Sequence, residues 1–153
     1  MIQKTYQIFV RAASWLQHPF LLIFRLYWGW QFFQTGKGKL AHIADVTGFF
    51  QTLHIPFPLA NAYLVGSVEC FGGLFLLLGL ASRLVSAPLA INMIVAYLTA
   101  HSDSVKNIFT DPGEFLKQDP FLFLVTALLV LCFGPGLFSI DTLIKKFRHS
   151  DNA

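Results

Sequence analysis

Charged residues are scarce in this chain of 153 residues, of which 12% are Asp, Glu, Lys or Arg and 55% are hydrophobic. Soluble domains carry about 25% charged residues, so this composition argues against an ordinary soluble domain. The net charge of +3 is spread along the chain and forms no basic stripe, and therefore we expect no binding to nucleic acid. The composition favours one compact domain embedded in a lipid bilayer.

Cysteine is also scarce, and the two residues, Cys70 and Cys132, lie far apart within apolar runs. They form no C-x-x-C pair, and such isolated cysteines are typical of small buried thiols. No His, Cys, Asp or Glu spacing is diagnostic of metal ligands, so we predict no metal site. Because there is also no flavin fingerprint or haem-attachment motif, electrons for any redox reaction must come from another protein. Residues 1–17 are mixed in polarity, so we expect no cleaved signal peptide.

Four apolar runs dominate the remaining sequence. The run from Pro58 to Leu80 would extend about 34 Å as an α-helix, at roughly 1.5 Å per residue, and a hydrocarbon core is about 30 Å thick. We therefore predict an all-α membrane protein. Its four-helix transmembrane bundle has predicted spans at residues 20–36, 58–80, 84–101 and 120–138.

Two amphipathic segments lie outside these spans. Residues 5–16 and 43–53 carry apolar side chains at helical spacing, which predicts a short interfacial helix in each. A polar loop is expected at residues 102–119. The chain thus divides into an interfacial segment, a membrane domain and a basic tail, at residues 1–18, 19–141 and 142–153.

An even number of spans places both termini on the same side of the membrane. That side carries six cations and the opposite side carries four, so the positive-inside rule predicts cytoplasmic termini. The six are Lys4, Arg11, Arg83, Lys145, Lys146 and Arg148, and the four are Lys37, Lys39, Lys106 and Lys117.

Charged and polar residues within the predicted spans are the candidate functional residues. A charge at the bilayer centre costs roughly 2.5–3.5 kcal/mol, so Arg25 and Glu69 need partners or a polar cavity. Counted from the cytoplasmic side at roughly 1.5 Å per residue, Arg25 lies about 10 Å deep, Asn92 about 11 Å and Glu69 about 16 Å. An arginine side chain can bridge this difference. We therefore predict an Arg25–Glu69 ion pair whose hydrogen bonds Asn92 completes.

This ion pair has two interpretations. It either locks the first two spans together, or it forms the polar end of an apolar pocket that holds the head group of a lipophilic ligand. For the second interpretation, the predicted ligand-binding layer comprises Arg25, Trp28, Gln31, Glu69, Asn92 and His101. Lys39 and Gln34 are placed at the mouth of such a pocket, together with Gln31 and His101, although a histidine at a helix end is more often simply solvated. No catalytic residue is predicted.

Glycines share helix faces with both charged residues. Gly66, Gly72 and Gly73 lie at spacings of three and four from Glu69, so a partner helix can approach that face closely. The predicted helix-packing residues are Gly29, Gly36, Gly66, Gly72 and Gly73.

Three motifs are specific in combination and in this order. They are R-L-Y-W-G-W-Q-F-F-Q-T-G-K-G-K-L at 25–40, E-C-F-G-G-L-F-L-L-L-G-L-A-S-R at 69–83 and G-P-G-L-F-S-I-D at 134–141. Together they resemble the DoxX family of small bacterial membrane proteins over roughly residues 20–141. The resemblance implies a four-helix protein of the bacterial inner membrane.

Relatives in the wider DoxX family include the membrane subunit of a thiosulfate:quinone oxidoreductase. The resemblance therefore implies a hydrophobic subunit that presents quinone to a redox partner. None of the matching residues is an established catalytic residue for most members. The residues that match the family pattern are Arg25, Gly29, Gly36, Lys39, Glu69, Gly72, Gly73, Arg83 and Asp141.

The favoured hypothesis is a membrane protein that holds a quinone or similar lipophile, as an accessory subunit of a quinone-linked oxidoreductase. Quinones are apolar molecules whose carbonyls accept hydrogen bonds, and an aromatic-rich bundle with a few inward polar groups suits both properties. The alternative is a membrane anchor or assembly subunit with no ligand of its own. A transporter would need a polar path across the bilayer, for which one polar layer leaves little room. The expected partners are the lipid bilayer and a soluble or membrane-bound redox protein, and a homo-oligomer is compatible with the same sequence.

Overall fold

Helices joined by short turns make up the described part of the chain, which contains no β-strand. The computed structural model describes the backbone of residues 2–150, and the side chains in that range except those at positions 2, 5, 12 and 148–150. Residues 1 and 151–153, at the ends of the predicted interfacial segment and basic tail, lie outside the described residues. The helices within residues 2–150 are α1 (Ile2–Ala41), α2 (Ile43–Thr52), α3 (Pro58–Leu78), α4 (Ser82–Ala100), α5 (Ser102–Lys106), α6 (Pro112–Lys117), α7 (Pro120–Phe133) and α8 (Ile140–Ser150).

The first helix is longer than we predicted. A separate interfacial helix was expected at residues 5–16, whereas α1 runs without a break from that segment into the first predicted span. Pro19 lies inside α1, where it removes one backbone hydrogen bond without ending the helix. Every described side chain from residue 3 to residue 17 is exposed, so this half of α1 extends beyond the buried part of the bundle.

Within residues 2–150, two helices, α3 and α4, are long and apolar enough to cross a membrane. Pro58 begins α3, at a position where its missing N–H is harmless. Gly79 ends α3 with a φ of 70°, a left-handed conformation that glycine adopts without a steric penalty. Helix α7 is apolar but shorter than the predicted span, because the sequence G-P-G from Gly134 onward ends it five residues early.

Glycines set the distance between α1 and α3, which run antiparallel. Gly29 lies beside Leu77, where an added Cβ would be 2.8 Å from the Leu77 backbone nitrogen. Gly36 lies beside Cys70, where an added Cβ would overlap the Cys70 backbone. An added Cβ would also crowd a neighbour at three other glycines. These are Gly73 beside Phe33, Gly66 beside Leu40 of α1 and Gly72 beside Leu89 of α4.

One hydrophobic core joins four of the helices. Phe32 of α1 is fully buried and meets Phe123 of α7 edge-on, with ring centroids 4.5 Å apart. The other buried members come from α3, α4 and α7 and are Leu76, Leu89, Ala90, Met93, Ala127 and Val130.

Two segments outside the core contain helices that we did not predict. The expected polar loop at 102–119 contains α5 and α6, and Asp111 begins α6 by accepting a 3.3 Å hydrogen bond from the backbone N–H of Glu114. Helix α8 begins two residues before the predicted basic tail and continues into it, and the apolar side chains of Leu143, Ile144 and Phe147 in the tail are exposed.

Candidate functional site

The two buried charges, Arg25 and Glu69, are each only 1% exposed, and they do not pair with each other. The guanidinium of Arg25 bonds the carbonyls of Leu76 and Leu77, which lie roughly 10–12 Å along α3 from Glu69. The predicted Arg25–Glu69 ion pair is therefore wrong. Our depth estimate counted residues from the cytoplasmic ends of the predicted spans, whereas the glycine contacts fix a different register between α1 and α3.

Arg25 is instead bonded entirely to backbone carbonyls. Its Nε donates to the Leu76 oxygen at 2.9 Å and its Nη2 to the Leu77 oxygen at 3.2 Å. Its Nη1 donates to the Phe138 oxygen at 3.1 Å and also to the Pro135 oxygen. The last carbonyls of a helix have no partner within that helix, so one guanidinium satisfies the end of α3 and the turn after α7 together.

Asp141 completes this cluster from the start of α8. Its Oδ1 accepts a hydrogen bond from the Ala81 backbone N–H at 2.7 Å, and its Oδ2 accepts one from Ser82 at 2.9 Å. These N–H groups lie at the start of α4, where a carboxylate is favoured by the free amides and the helix dipole. We call Arg25, its carbonyl partners and Asp141 the arginine junction.

Glu69 pairs with Lys39. The Lys39 Nζ donates to both carboxylate oxygens, at 2.5 and 2.6 Å, and Asn92 Nδ2 donates to Oε1 at 2.8 Å. The predicted contact between Asn92 and Glu69 is present, and Lys39 occupies the position that we had assigned to Arg25. We call Lys39, Glu69 and Asn92, which come from α1, α3 and α4, the polar triad.

The sequence contained a signal for Lys39 that our reasoning missed. Lys39 lies three residues after Gly36, so both residues share one face of α1. Gly36 contacts Cys70, the residue after Glu69, and this contact brings Lys39 to the level of the carboxylate. A register derived from matching glycine faces would have selected Lys39 over Arg25.

The polar triad faces a cavity of about 790 Å³. Helix α2 covers one side of the cavity with Val46, Phe49 and Phe50. This helix is the second amphipathic segment that we predicted, and its apolar face lines the cavity although none of its residues is buried. Further apolar lining residues are Leu53, Ile55, Pro56, Val65, Met93, Val95, Ala96, Ala100, Pro120 and Phe123, and further polar ones are Thr35, Asp45, Asn61, Thr99, His101 and Asp119.

Only half of the predicted ligand-binding layer lies at the cavity. Three of its six members line the cavity, namely Glu69, Asn92 and His101. Arg25 belongs to the arginine junction. Trp28 packs edge-on against Phe123 with ring centroids 5.0 Å apart, and the Gln31 amide bonds the Tyr27 hydroxyl at 3.4 Å. Trp28 and Gln31 do not line the cavity.

The two cysteines lie apart from one another. Cys70 is half-buried at the contact between α1 and α3, and Cys132 is exposed, so the prediction of two buried thiols is wrong for Cys132. Over the part of the chain that the structure describes, no group of three or more His, Cys, Asp or Glu side chains could hold a metal ion.

The family comparison includes all three residues of the polar triad. The sequence pattern that defines the DoxX family matches residues 20–102, which include Lys39, Glu69 and Asn92. The chain is 32% identical to the "Uncharacterized protein" of Haemophilus influenzae over 138 residues, which cover 82% of this chain and 83% of that protein.

Two further relatives match over most of their length. The "Putative oxidoreductase CatD" of Bacillus subtilis is 27% identical over 131 residues, covering 86% of this chain and 91% of that protein. The "Uncharacterized membrane protein Rv3486" of Mycobacterium tuberculosis is 29% identical over 153 residues, covering 88% and 91% respectively. No solved structure matches the chain.

Proposed function

Because the chain belongs to the DoxX family of membrane proteins, we propose that it binds a lipophilic ligand of the quinone class in the cavity beside the polar triad. The protein holds this ligand for a soluble or membrane-bound redox partner, since the sequence has no flavin fingerprint, haem-attachment motif or C-x-x-C pair. A relative named as a putative oxidoreductase supports the redox role.

One observation carries this proposal: the polar triad has unused hydrogen-bonding groups at a cavity that is lined mainly by apolar side chains. The Lys39 side chain is 34% exposed although its partner Glu69 is only 2% exposed. Phe49, Phe50 and Phe123 supply flat apolar surfaces in the same cavity. Ligand pockets typically measure about 300–1,000 Å³, so a cavity of about 790 Å³ is large enough for a quinone ring and part of its tail.

The proposed membrane arrangement has four spans. The part of α1 after Pro19, together with α3, α4 and α7, crosses the bacterial inner membrane, and both termini lie in the cytoplasm. The excess of cations on the side of the termini supports this orientation. Labelling of single cysteines introduced at Lys4 and Lys117 in intact cells tests it, because only the second is expected to react with an impermeant maleimide.

A substitution pair at Glu69 tests the ligand site. In lipid nanodiscs, a short-chain ubiquinone is expected to raise the unfolding temperature of the wild-type protein. Glu69→Gln keeps the side-chain shape and is expected to fold. It removes the carboxylate that holds the Lys39 ammonium in place beside the cavity, so the quinone should bind at least about fivefold more weakly, roughly 1 kcal/mol. Glu114→Gln, at an exposed carboxylate outside the cavity, is the matched control and should bind as the wild type does.

Substitutions at Glu69 also distinguish a ligand site from a triad that only holds the helices together. If Glu69→Gln and Glu69→Leu both prevent folding, the triad acts as a lock between helices. If quinone changes neither the unfolding temperature of the wild type nor its tryptophan fluorescence, the ligand proposal is wrong.

A membrane anchor for another protein is the second candidate function. It is favoured by the exposed half of α1 before Pro19, which presents Phe9 and Trp15 at 69% and 64% exposure. In that case Phe9→Ser and Trp15→Ser reduce the yield of a co-purifying partner without changing quinone binding.

A further inference from the structure

We propose that the polar triad selects lipophiles by charge, accepting an uncharged head group with a hydrogen-bond acceptor and rejecting carboxylate anions such as fatty acids. This inference rests on the proposed function, because it names the ligand class of the same cavity. It also gives Lys39 and Glu69 separate roles, since Lys39 supplies the hydrogen bond and Glu69 cancels its charge.

The charges of the triad cancel one another. The ammonium of Lys39 contacts both oxygens of Glu69, and Asn92 is neutral, so the triad presents no net charge to a ligand. The remaining titratable residues that line the cavity are Asp45, His101 and Asp119. Two of these three are carboxylates, so the rest of the cavity repels anions and does not compensate for a second negative charge.

The hydrogen bonds of the triad are only partly used. Two of the three N–H groups of Lys39 bond Glu69, and the third has no partner among the residues that the structure describes. One N–H of Asn92 also bonds Glu69, which leaves its other N–H and its carbonyl oxygen without a protein partner in the same range. Thr35 adds nothing, because its hydroxyl bonds the Gln31 and Phe32 carbonyls of its own helix. A neutral carbonyl can therefore accept two hydrogen bonds at this end of the cavity.

A ligand carboxylate would have to compete with Glu69 for the ammonium. If it displaced Glu69, it would leave a carboxylate of 2% exposure without its cation, and breaking a buried pair in this way is strongly unfavourable. If Glu69 stayed bound, two carboxylates would share one ammonium in an apolar cavity. Either arrangement is less favourable than binding an uncharged carbonyl, which needs no change in the existing ion pair.

Matched ligands test this inference without altering the protein. Decanamide and decanoate have the same chain length and differ in head-group charge, and both can be titrated against the wild-type protein in zwitterionic nanodiscs at a pH where decanoate is ionised. We expect decanamide to bind at least about tenfold more tightly than decanoate, roughly 1.4 kcal/mol. Equal affinities would overturn charge selection while leaving ligand binding itself intact.

Variants of the ion pair supply the second arm of the test. Glu69→Gln leaves Lys39 charged and uncompensated, so its affinity for decanoate should rise at least about tenfold over the wild type. The double variant Lys39→Gln and Glu69→Gln removes both charges and should lose that gain. A Glu69→Gln protein that folds and binds decanoate no better than the wild type contradicts the inference.

The two proposals fail in different ways. If the wild-type protein binds neither ubiquinone nor decanamide, the proposed function is wrong. If ubiquinone binds and decanoate binds as well as decanamide, only the charge selection is wrong.

Discussion

The arginine junction and the polar triad are two buried charge clusters on the same helix, α1, and they differ in what is left unbonded. Arg25 donates to four backbone carbonyls, and its cluster joins the ends of α3 and α7 to the start of α4. The triad joins three helices but keeps free N–H groups that face a cavity. Burial of a charge therefore does not by itself suggest a ligand site. We propose one at the triad because its unused hydrogen-bonding groups lie beside a cavity.

The residue types suit these two roles. The guanidinium of arginine is a planar fork with five donors, which can satisfy several diverging carbonyls at once. The ammonium of lysine is a compact charge on a flexible chain, and it can turn one donor toward a ligand while holding a carboxylate with the others.

The largest effect is expected from Arg25→Met, which breaks the arginine junction. The Leu76 carbonyl keeps its hydrogen bond from the Gly79 backbone N–H, but the carbonyls of Leu77, Pro135 and Phe138 lose their partner. Each such loss costs about 1–3 kcal/mol, so the free energy of unfolding should fall by about 3 kcal/mol or more. The matched control is Arg83→Met, since Arg83 is exposed and makes a single 3.1 Å hydrogen bond to the Cys132 carbonyl. Thermal unfolding in detergent measures both. If Arg25→Met is as stable as Arg83→Met, the structural role that we assign to Arg25 is wrong.

Gly36→Ala should produce the next largest effect, because it targets the triad. An added Cβ would overlap the Cys70 backbone, so α1 must move away from α3 and carry Lys39 with it. We expect a loss of about 1–3 kcal/mol in stability together with weaker quinone binding. Gly38→Ala is the control, because no atom lies within 4 Å of its added Cβ. That change should stabilise α1 by up to about 1 kcal/mol through helix propensity.

Asp141→Ala should have a moderate effect that separates the two clusters. It removes both acceptors for the backbone N–H groups at the start of α4, and losing such a helix cap costs about 0.5–2 kcal/mol. Quinone affinity should be unchanged, because the residue lies outside the cavity. Calorimetric unfolding and a quinone titration of the same sample test this. Weaker quinone binding would show that the clusters are coupled.

The smallest effect on stability is expected from Phe50→Ala in α2. This helix has no buried residue, so stability should change by less than about 1 kcal/mol. Quinone affinity should nevertheless fall several-fold, because Phe50 lines the cavity. Phe57→Ala is the control, since Phe57 is 81% exposed and does not line the cavity. Equal quinone affinities in the two variants would argue against α2 as a wall of the ligand site.

Periodicity and composition predicted much of the helical structure but little of its continuity. The amphipathic stripes at residues 5–16 and 43–53 correctly indicated helix. They did not show that the first stripe continues through Pro19, because a proline can either begin a helix or lie within one. Nor did they show what the second stripe covers, since an apolar face is the same pattern against lipid and against a cavity.

The sequence alone determined that the chain is helical and apolar and that a charge such as Glu69 must have a partner, because an isolated charge in an apolar environment is unstable. It also placed Asn92 near the depth of Glu69. Only the tertiary structure decided between Lys39 and Arg25 as the cation. Helical periodicity specifies which residues share a face but not how far one helix slides along another, and the backbone contacts of Gly29 and Gly36 set that position. The carbonyls that bind Arg25 belong to a helix end and a turn, and such partners become visible only when the chain has folded.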